Sequence, residues 1–274
     1  MFHFADKECP MSDSPLLVER DGPVVTVTMN RPQARNAWNL EMIARMWDAW
    51  EAIDADPEIR CAILTGAGGT FCAGADLKLM HGDKSGDPWH ARFQEDPDLH
   101  WRALLRHYRL KKPLIAAVEG FALGGGTEIL QATDIRVAGK SAQFGVTEGK
   151  YGLFPLGGST VRLRRQVPHT MAMDMLLTAR RVSAEEALSF GLIGRVVEDG
   201  TALAVAREIA DQVSANGPLA IQAIKRSALE TADLSETDAL VRELEIGRPV
   251  FETEDAREGP RAFAEKRTPI FKGR

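Results

Sequence analysis

The sequence predicts an α/β fold: strands alternate with helices through roughly the first two thirds, and helices dominate the rest. Three observations carry this. Short runs rich in β-branched and apolar residues, Leu16–Arg20, Val24–Met29, Cys61–Thr65 and Leu114–Val118, are bounded by breakers or by helical periodicity. Two of these runs lead into glycine-rich loops. From about Gly158 the apolar spacing is helical, and only Ile193–Val197 interrupts it as a strand.

Each element has a local reason. Asp21-Gly22-Pro23 between the first two runs reads as a hairpin turn. Asn39 is a candidate cap for a helix over about 40–54, whose Met42, Ile43, Met46, Trp47, Trp50 and Ile53 share one face until Asp56-Pro57 stops it. A helix from Gly125 to Ala132 follows the second glycine loop, and Ile135–Ala138 and Ala142–Phe144 read as strands. Ser183-Ala-Glu-Glu186 reads as a capping box, with a stop at Gly191. Further helices are expected near 202–215 and 219–231, with others beginning near Ser235 and Thr253. Residues 80–100, rich in Gly, Pro and Asp, read as a long surface flap. The expected division is a flexible arm at 1–15, a core at 16–200 and a helical region at 201–274.

The chain has 274 residues, enough for a sizeable core without metal or disulfide staples. Its 34 basic and 39 acidic residues give a net charge of −5, so no global field attracts nucleic acid or anionic lipid. No run is long and apolar enough to span a membrane. The three cysteines, Cys9, Cys61 and Cys72, are odd in number and form no CxxC, which fits reduced thiols in a cytoplasmic protein. No HExxH occurs, and His81, His90, His100 and His107 show no ligand spacing, so no metal is expected. GxSxG is absent too, which leaves a nucleophile-elbow hydrolase unsupported. Arg162, Arg164 and Arg165 read as a solvated helix face.

The glycine loops are where chemistry could sit. The loop from Gly66 to Asp76 carries Phe71 where a dinucleotide fingerprint needs its third glycine. Such a loop can still bring backbone N–H groups close to an oxygen, or be a plain tight turn. Gly124-Gly125-Gly126 opens a helix, and a helix N-terminus offers N–H donors suited to a developing oxyanion. Glu128 lies in that first turn, where a carboxylate also simply stabilises the helix. Glu148 follows a later strand, where a glutamate is ordinarily solvated. Taken as a set, two glycine loops and two glutamates at strand ends match the need of water addition or removal for a paired acid and base.

At these residues the sequence strongly resembles the crotonase, or enoyl-CoA hydratase/isomerase, superfamily. The markers are NRPQARNAW from Asn30, ILTGAGGTFCAGADLK from Ile63, KKPLIAAVEGFALGGGTEILQATDIRVAGKSAQFGVTE from Lys111, and the closing FAEKRTPIFKGR. The resemblance covers about Leu16 to Arg274. It implies a crotonase-like spiral of repeated ββα units with a helical C-terminal trimerisation region, as homotrimers or hexamers. It implies an acyl-CoA thioester substrate and no separate cofactor. By position, Ala75 and Gly125 match the oxyanion-hole N–H groups, and Glu128 and Glu148 the catalytic pair of hydratases. Arg35 and Ala37, with Ala73, Asp76, Leu77 and Tyr151, fall on the expected substrate and coenzyme A surface. Phe263 and Lys266 match residues that reach a neighbouring subunit's coenzyme.

Three positions depart from the family pattern. Thr147 stands where proline usually precedes the second glutamate, Thr127 replaces a frequent cysteine, and Val161 a common glutamine. Retention of both glutamates favours an enoyl-CoA hydratase acting in fatty-acid or steroid side-chain degradation. A Δ3,Δ2-enoyl-CoA isomerase, which needs one proton-shuttling carboxylate, is the alternative. A non-catalytic RNA-binding relative is disfavoured by the acidic balance. Trp89 and Phe93 in the flap either line the outer acyl pocket with Tyr151 and Phe154, or pin the flap to the body or to another subunit.

Overall fold

The computed structural model describes residues 13–77 and 86–274. β1 (Leu16–Asp21) and β2 (Val24–Met29) form the expected hairpin, pairing from Leu16 against Met29 to Asp21 against Val24. From β2 on, the large sheet is parallel: β3 (Cys61–Gly66), β4 (Leu114–Val118), β6 (Ile135–Gly139) and β9 (Arg195–Val197) complete the order β1-β2-β3-β4-β6-β9. Covered on both faces, β4 is buried along its whole length, which is why it reads as a continuous apolar run. A second sheet holds β5 (Phe121–Leu123), β7 (Gln143–Gly145) and β8 (Val182–Ser183) in that order.

α1 (Leu40–Ala55) begins where Asn39 Oδ1 accepts the Met42 N–H at 3.0 Å, and it buries all six residues of the expected face. The flap departs from expectation. It folds into two short helices, α2 (His90–Glu95) and α3 (Leu99–Ala103), and Leu99 is fully inside. Trp89 and Phe93 pack against the main core. Arg92 forks onto Asp48 of α1 at 2.7 and 2.8 Å, and the Arg45 guanidinium lies 5.1 Å from the Trp89 ring centre. Trp89 and Arg92 therefore tie this segment to α1, and Phe93 packs on the core beside them, which is the pinning role. The expectations for Leu79, Met80 and His81, and for most of the N-terminal arm with Cys9, lie outside the described residues.

After β4 the chain steps to the small sheet as β5, turns through α4 (Gly125–Leu130), and returns to the large sheet as β6. β6 and β7 repeat the strand pair. The step is already present earlier in reduced form: after β3, Cys72 bridges Ala122 of β5, and after β2, Trp38 bridges Ala75. These are turns of a strand–strand–helix spiral, and each delivers the residues after its small-sheet strand to one common edge. Sequence identity between the turns is not needed for this, because pairing register is a backbone property.

The remaining helices are α5 (Ser159–Gln166), α6 (His169–Thr178), α7 (Ala184–Ser189), α8 (Ala202–Ser214), α9 (Pro218–Glu230), α10 (Glu236–Gly247) and α11 (Glu254–Ala264). Ser183 caps α7, but Glu186 turns its carboxylate to Arg180, so only half of the expected box forms. Ser235 and Thr253 cap α10 and α11 as expected. α8 closes the second face of the large sheet, setting Ala202, Ala206, Ile209 and Ala210 against Val24, Ile63, Ile115 and Val137. Arg164 and Arg165 on α5 are exposed, whereas Arg162 turns inward and donates to the Leu105 carbonyl. Its expected place on a solvated face is thus corrected. No helix among the described residues is long and apolar enough to cross a membrane.

Candidate active site

The common edge brings the two glycine loops together. In the first loop, Trp38 N–H donates to Gly74 O at 2.9 Å and Asp76 N–H to Trp38 O at 3.2 Å. That parallel bridge uses the groups on either side of Ala75 and turns the Ala75 N–H the other way. The second loop opens α4. Gly124 sits at φ 54°, ψ −127°, a conformation open to glycine and little else. Gly125, at the first helical position, has an N–H that no intrahelical carbonyl can reach. A Cβ on Gly74 would lie 3.1 Å from Gly125 N, so the two amides, without an acceptor among the described residues, belong to adjoining segments. A Cβ on Gly125 would stand 2.5 Å from the Trp38 ring, which is why the indole can lie flat against the start of α4.

The two glutamates converge on the same end of α4. Glu128, one turn into the helix, is buried, and its Oε1 accepts the Ser159 N–H at 3.1 Å. Gly157 lies close enough that a Cβ there would come within 2.5 Å of Glu128 Oε2. Burial raises the Glu128 pKa above the ordinary carboxylate value, and the amides of residues 157–159 offset only part of that rise. Glu148 has the opposite surroundings. Its Oε2 is buried without a partner, and Oε1 lies 3.3 Å from where a Cβ on Gly124 would be. Burial first, and the charge of Glu128 second, push the Glu148 carboxyl up to about 7. The site therefore holds one carboxylate stabilised by N–H donors and one carboxyl that keeps its proton near neutrality.

The other expected residues divide into two groups. Ala73 donates its N–H to Arg35 O at 3.0 Å, and Ala37 is buried beside them. Arg35 is left-handed at φ 51° and lays its guanidinium 5.6 Å from the Phe121 ring centre. Asp76 receives Arg31 at 3.2 Å, and Leu77 is partly exposed at the end of the first loop. Tyr151 stands exposed just past Glu148. These residues flank the centre. Phe263 and Lys266 do not join it: among the described residues no hydrogen bond or ring contact links them to it, and Phe263 is 87% exposed at the end of α11.

With that geometry in view, comparison with known proteins decides the family. The model of the enoyl-CoA hydratase/isomerase family matches residues 19–274. The chain belongs to the enoyl-CoA hydratase/isomerase family. It is 57% identical over 258 residues to enoyl-CoA hydratase EchA19 of Mycobacterium tuberculosis, covering 94% of this chain and 96% of that protein. It is 38% identical to the (E)-benzylidenesuccinyl-CoA hydratase of Thauera aromatica, covering 94% and 99%. A crystal structure of an enoyl-CoA hydratase from Mycobacterium tuberculosis superposes with a TM-score of 0.86 at 39% identity, covering 96% of this chain and all of that one.

Within the family frame the three departures find physical roles or none. Thr127 Oγ1 donates to Ala122 O and accepts the Gly145 N–H at 3.0 Å, tying β5 to β7 beneath both glutamates. Thr147 packs its hydroxyl toward Gly124. Val161 is half exposed, and nothing in the structure explains its place. Sequence reasoning missed Trp38, Gly157 and Ser159. Trp38 stood inside a quoted motif, but its packing on Gly125 depends on a contact 87 positions away along the chain. Asn36 was also missed: fully buried, its side-chain amide holds the carbonyls of Ala67 and Thr70, fixing the first loop.

Proposed function

We propose that this chain is an enoyl-CoA hydratase that adds water across a 2-enoyl-CoA to give a 3-hydroxyacyl-CoA. The observation that carries the reading is the unequal pair of glutamates facing two unpaired backbone N–H groups. The thioester oxygen accepts from Ala75 N–H and Gly125 N–H, which draws electron density from the double bond and stabilises the enolate that forms. Glu128, its carboxylate held by the Ser159 N–H, takes a proton from the attacking water. Glu148, protonated near neutrality, supplies the proton to the α-carbon. Water's oxygen becomes the β-hydroxyl, and the proton taken by Glu128 passes back through solvent to replace the one Glu148 gave, so the reading requires no metal or cofactor. Arg35, Ala37, Ala73, Asp76, Leu77 and Tyr151 form the surface for the acyl-CoA thioester.

The relatives' printed activities, hydration of enoyl-CoA and of (E)-benzylidenesuccinyl-CoA, support this reaction class. A double-bond isomerase needs one shuttling carboxylate, and the elaborated surroundings of both glutamates favour hydration. Phe263 and Lys266, exposed on one protomer, complete a neighbour's coenzyme site in a trimer or a pair of trimers. The unpaired Cys61 and Cys72 fit a reducing, cytoplasmic setting. The test is a steady-state assay over short, long and polycyclic 2-enoyl-CoA esters, following loss of the conjugated double bond. Turnover that depends on both glutamates supports the reading. Double-bond migration without hydration overturns it.

A further inference from the structure

We infer that Arg162 is a positioning residue for Glu128: it clamps the segment whose amides bind that carboxylate to the end of the flap, and sets a positive charge behind it. The inference rests on the hydratase reading, in which Glu128 acts ionised.

The clamp is visible in the contacts. Arg162 lies three residues after Ser159 on α5, so it shares the face whose N–H meets Glu128. A Cβ on Gly158 would lie 3.6 Å from the Cδ, Nε and Nη1 of Arg162, which puts the guanidinium against the 157–159 segment. Nη2 donates to Leu105 O and reaches Arg106 O at 3.4 Å. Leu105 is left-handed at φ 54°, with its N–H on Arg102 O at 2.9 Å and the Arg106 N–H on Trp101 O at 2.8 Å. This is the double-bonded turn that ends a helix, here α3, with leucine where glycine is usual. Arg106 Nε donates in the other direction, to Leu156 O at 2.7 Å. Two arginines thus cross-link the end of the flap to the stretch running from Glu148 to Glu128's donors.

The charge is visible too. Arg162 Nη1 is buried and has no hydrogen-bond partner. Burial and the nearby Arg109 disfavour its charge, Glu128 favours it, and Arg106 disfavours it. Among the described residues, the charge of Glu128 bears on Glu148 from beyond β7 and favours that of Arg162 on α5. Arg106 and Arg109 stand behind Arg162.

The test is the pH profile of kcat/KM for wild type, R162M and R162K on the best 2-enoyl-CoA ester of the panel, with folding checked by circular dichroism. Removing the positive charge raises the Glu128 pKa. R162M should therefore move the acid limb upward by about half to one pH unit. The basic limb, set by Glu148, should stay in place. kcat should fall several-fold at unchanged KM. R162K keeps the charge but not the fork, so its acid limb should stay near wild type while kcat falls. A folded R162M with a wild-type profile and kcat overturns the inference. If R162M does not fold, R162K decides: wild-type kcat per folded site overturns the inference, and a several-fold lower kcat at unchanged KM upholds it. Wild type inert on every ester would overturn the hydratase reading, a result distinct from either.

Discussion

A carboxyl that titrates near 7, as Glu148 does, makes catalysis and stability move together with pH. Its folded pKa, about 7, lies above the ordinary 4.5 because burial disfavours the charged form. A group raised in this way favours folding most when protonated, and that contribution is lost as pH rises from about 4.5 through 7. Two outcomes follow for Glu148→Gln, which keeps the shape and removes the charge. At pH 8 the variant should be more stable than wild type by on the order of 3 kcal/mol, and at pH 4 it should not. Chemical denaturation at the two pH values reads this, and equal stability at both would show that Glu148 is not strained by its burial. Glu128→Gln and Glu148→Gln should each lower kcat by about 100- to 10,000-fold with KM for the ester little changed. In wild type the rate should decline above pH 7 as Glu148 loses its proton. Near-normal hydration by Glu148→Gln would remove the two-carboxylate mechanism.

The flap shows how an element gets its stability from a partner far along the chain. Trp89 lies against the core under the Arg45 guanidinium, and Arg92 forks onto Asp48. Trp89→Ala should cost about 1–3 kcal/mol of stability through lost burial and cation–π contact. Its kcat/KM ratio between bulky and short esters should stay near wild type. A variant that keeps its melting temperature but changes that ratio would return Trp89 to the acyl pocket. The same residues show what was legible beforehand. Caps and faces that depend on near neighbours, such as Asn39 with Met42 or the apolar stripe of α1, are written in a few consecutive positions, and they appear as expected. Glu128 and Glu148 stood out as carboxylates at strand ends beside glycine-rich loops, whereas the roles of Ala75 and Gly125 came from the family resemblance. The flap helices were not, since breaker residues and charges obscure a helix whose support comes from α1. Arg162 was hidden for a similar reason: nothing near it in sequence distinguishes it from the solvated Arg164 and Arg165, and its acceptor is 57 positions away.

At the scale of the whole molecule, the apolar side chains left in water concentrate in the C-terminal third. Leu240, Val241 and Leu244 form a stripe along α10, and Phe251, Phe263 and Ile270 continue the exposed series. Single exposed apolar residues need no explanation, but a row at helical spacing marks a surface that a partner covers. The C-terminal tail holds this region in shape without covering it. The backbone amides of Lys272 and Gly273 donate to Asp255 at 2.7 and 2.8 Å, and Arg60 beside β3 donates to the Phe271 carbonyl. α11 is thereby anchored to the body of the chain while Phe263 and Lys266 stay exposed, as the proposed contact with a neighbour's coenzyme site requires. If, as proposed, copies of the chain complete one another's sites, the protein should run as a trimer or hexamer of the 30.0 kDa chain in light scattering. Pairing Leu240→Glu with Leu244→Glu should shift it toward monomer and weaken binding of coenzyme A esters, because each site would lose the side chains supplied from outside. Phe263→Ala should leave the assembly intact and raise KM alone, which separates the contact to coenzyme from the contact between subunits. A monomer that turns over esters at the full rate, measured by light scattering under assay conditions, would show that each chain completes its own site and that the stripe on α10 has another purpose.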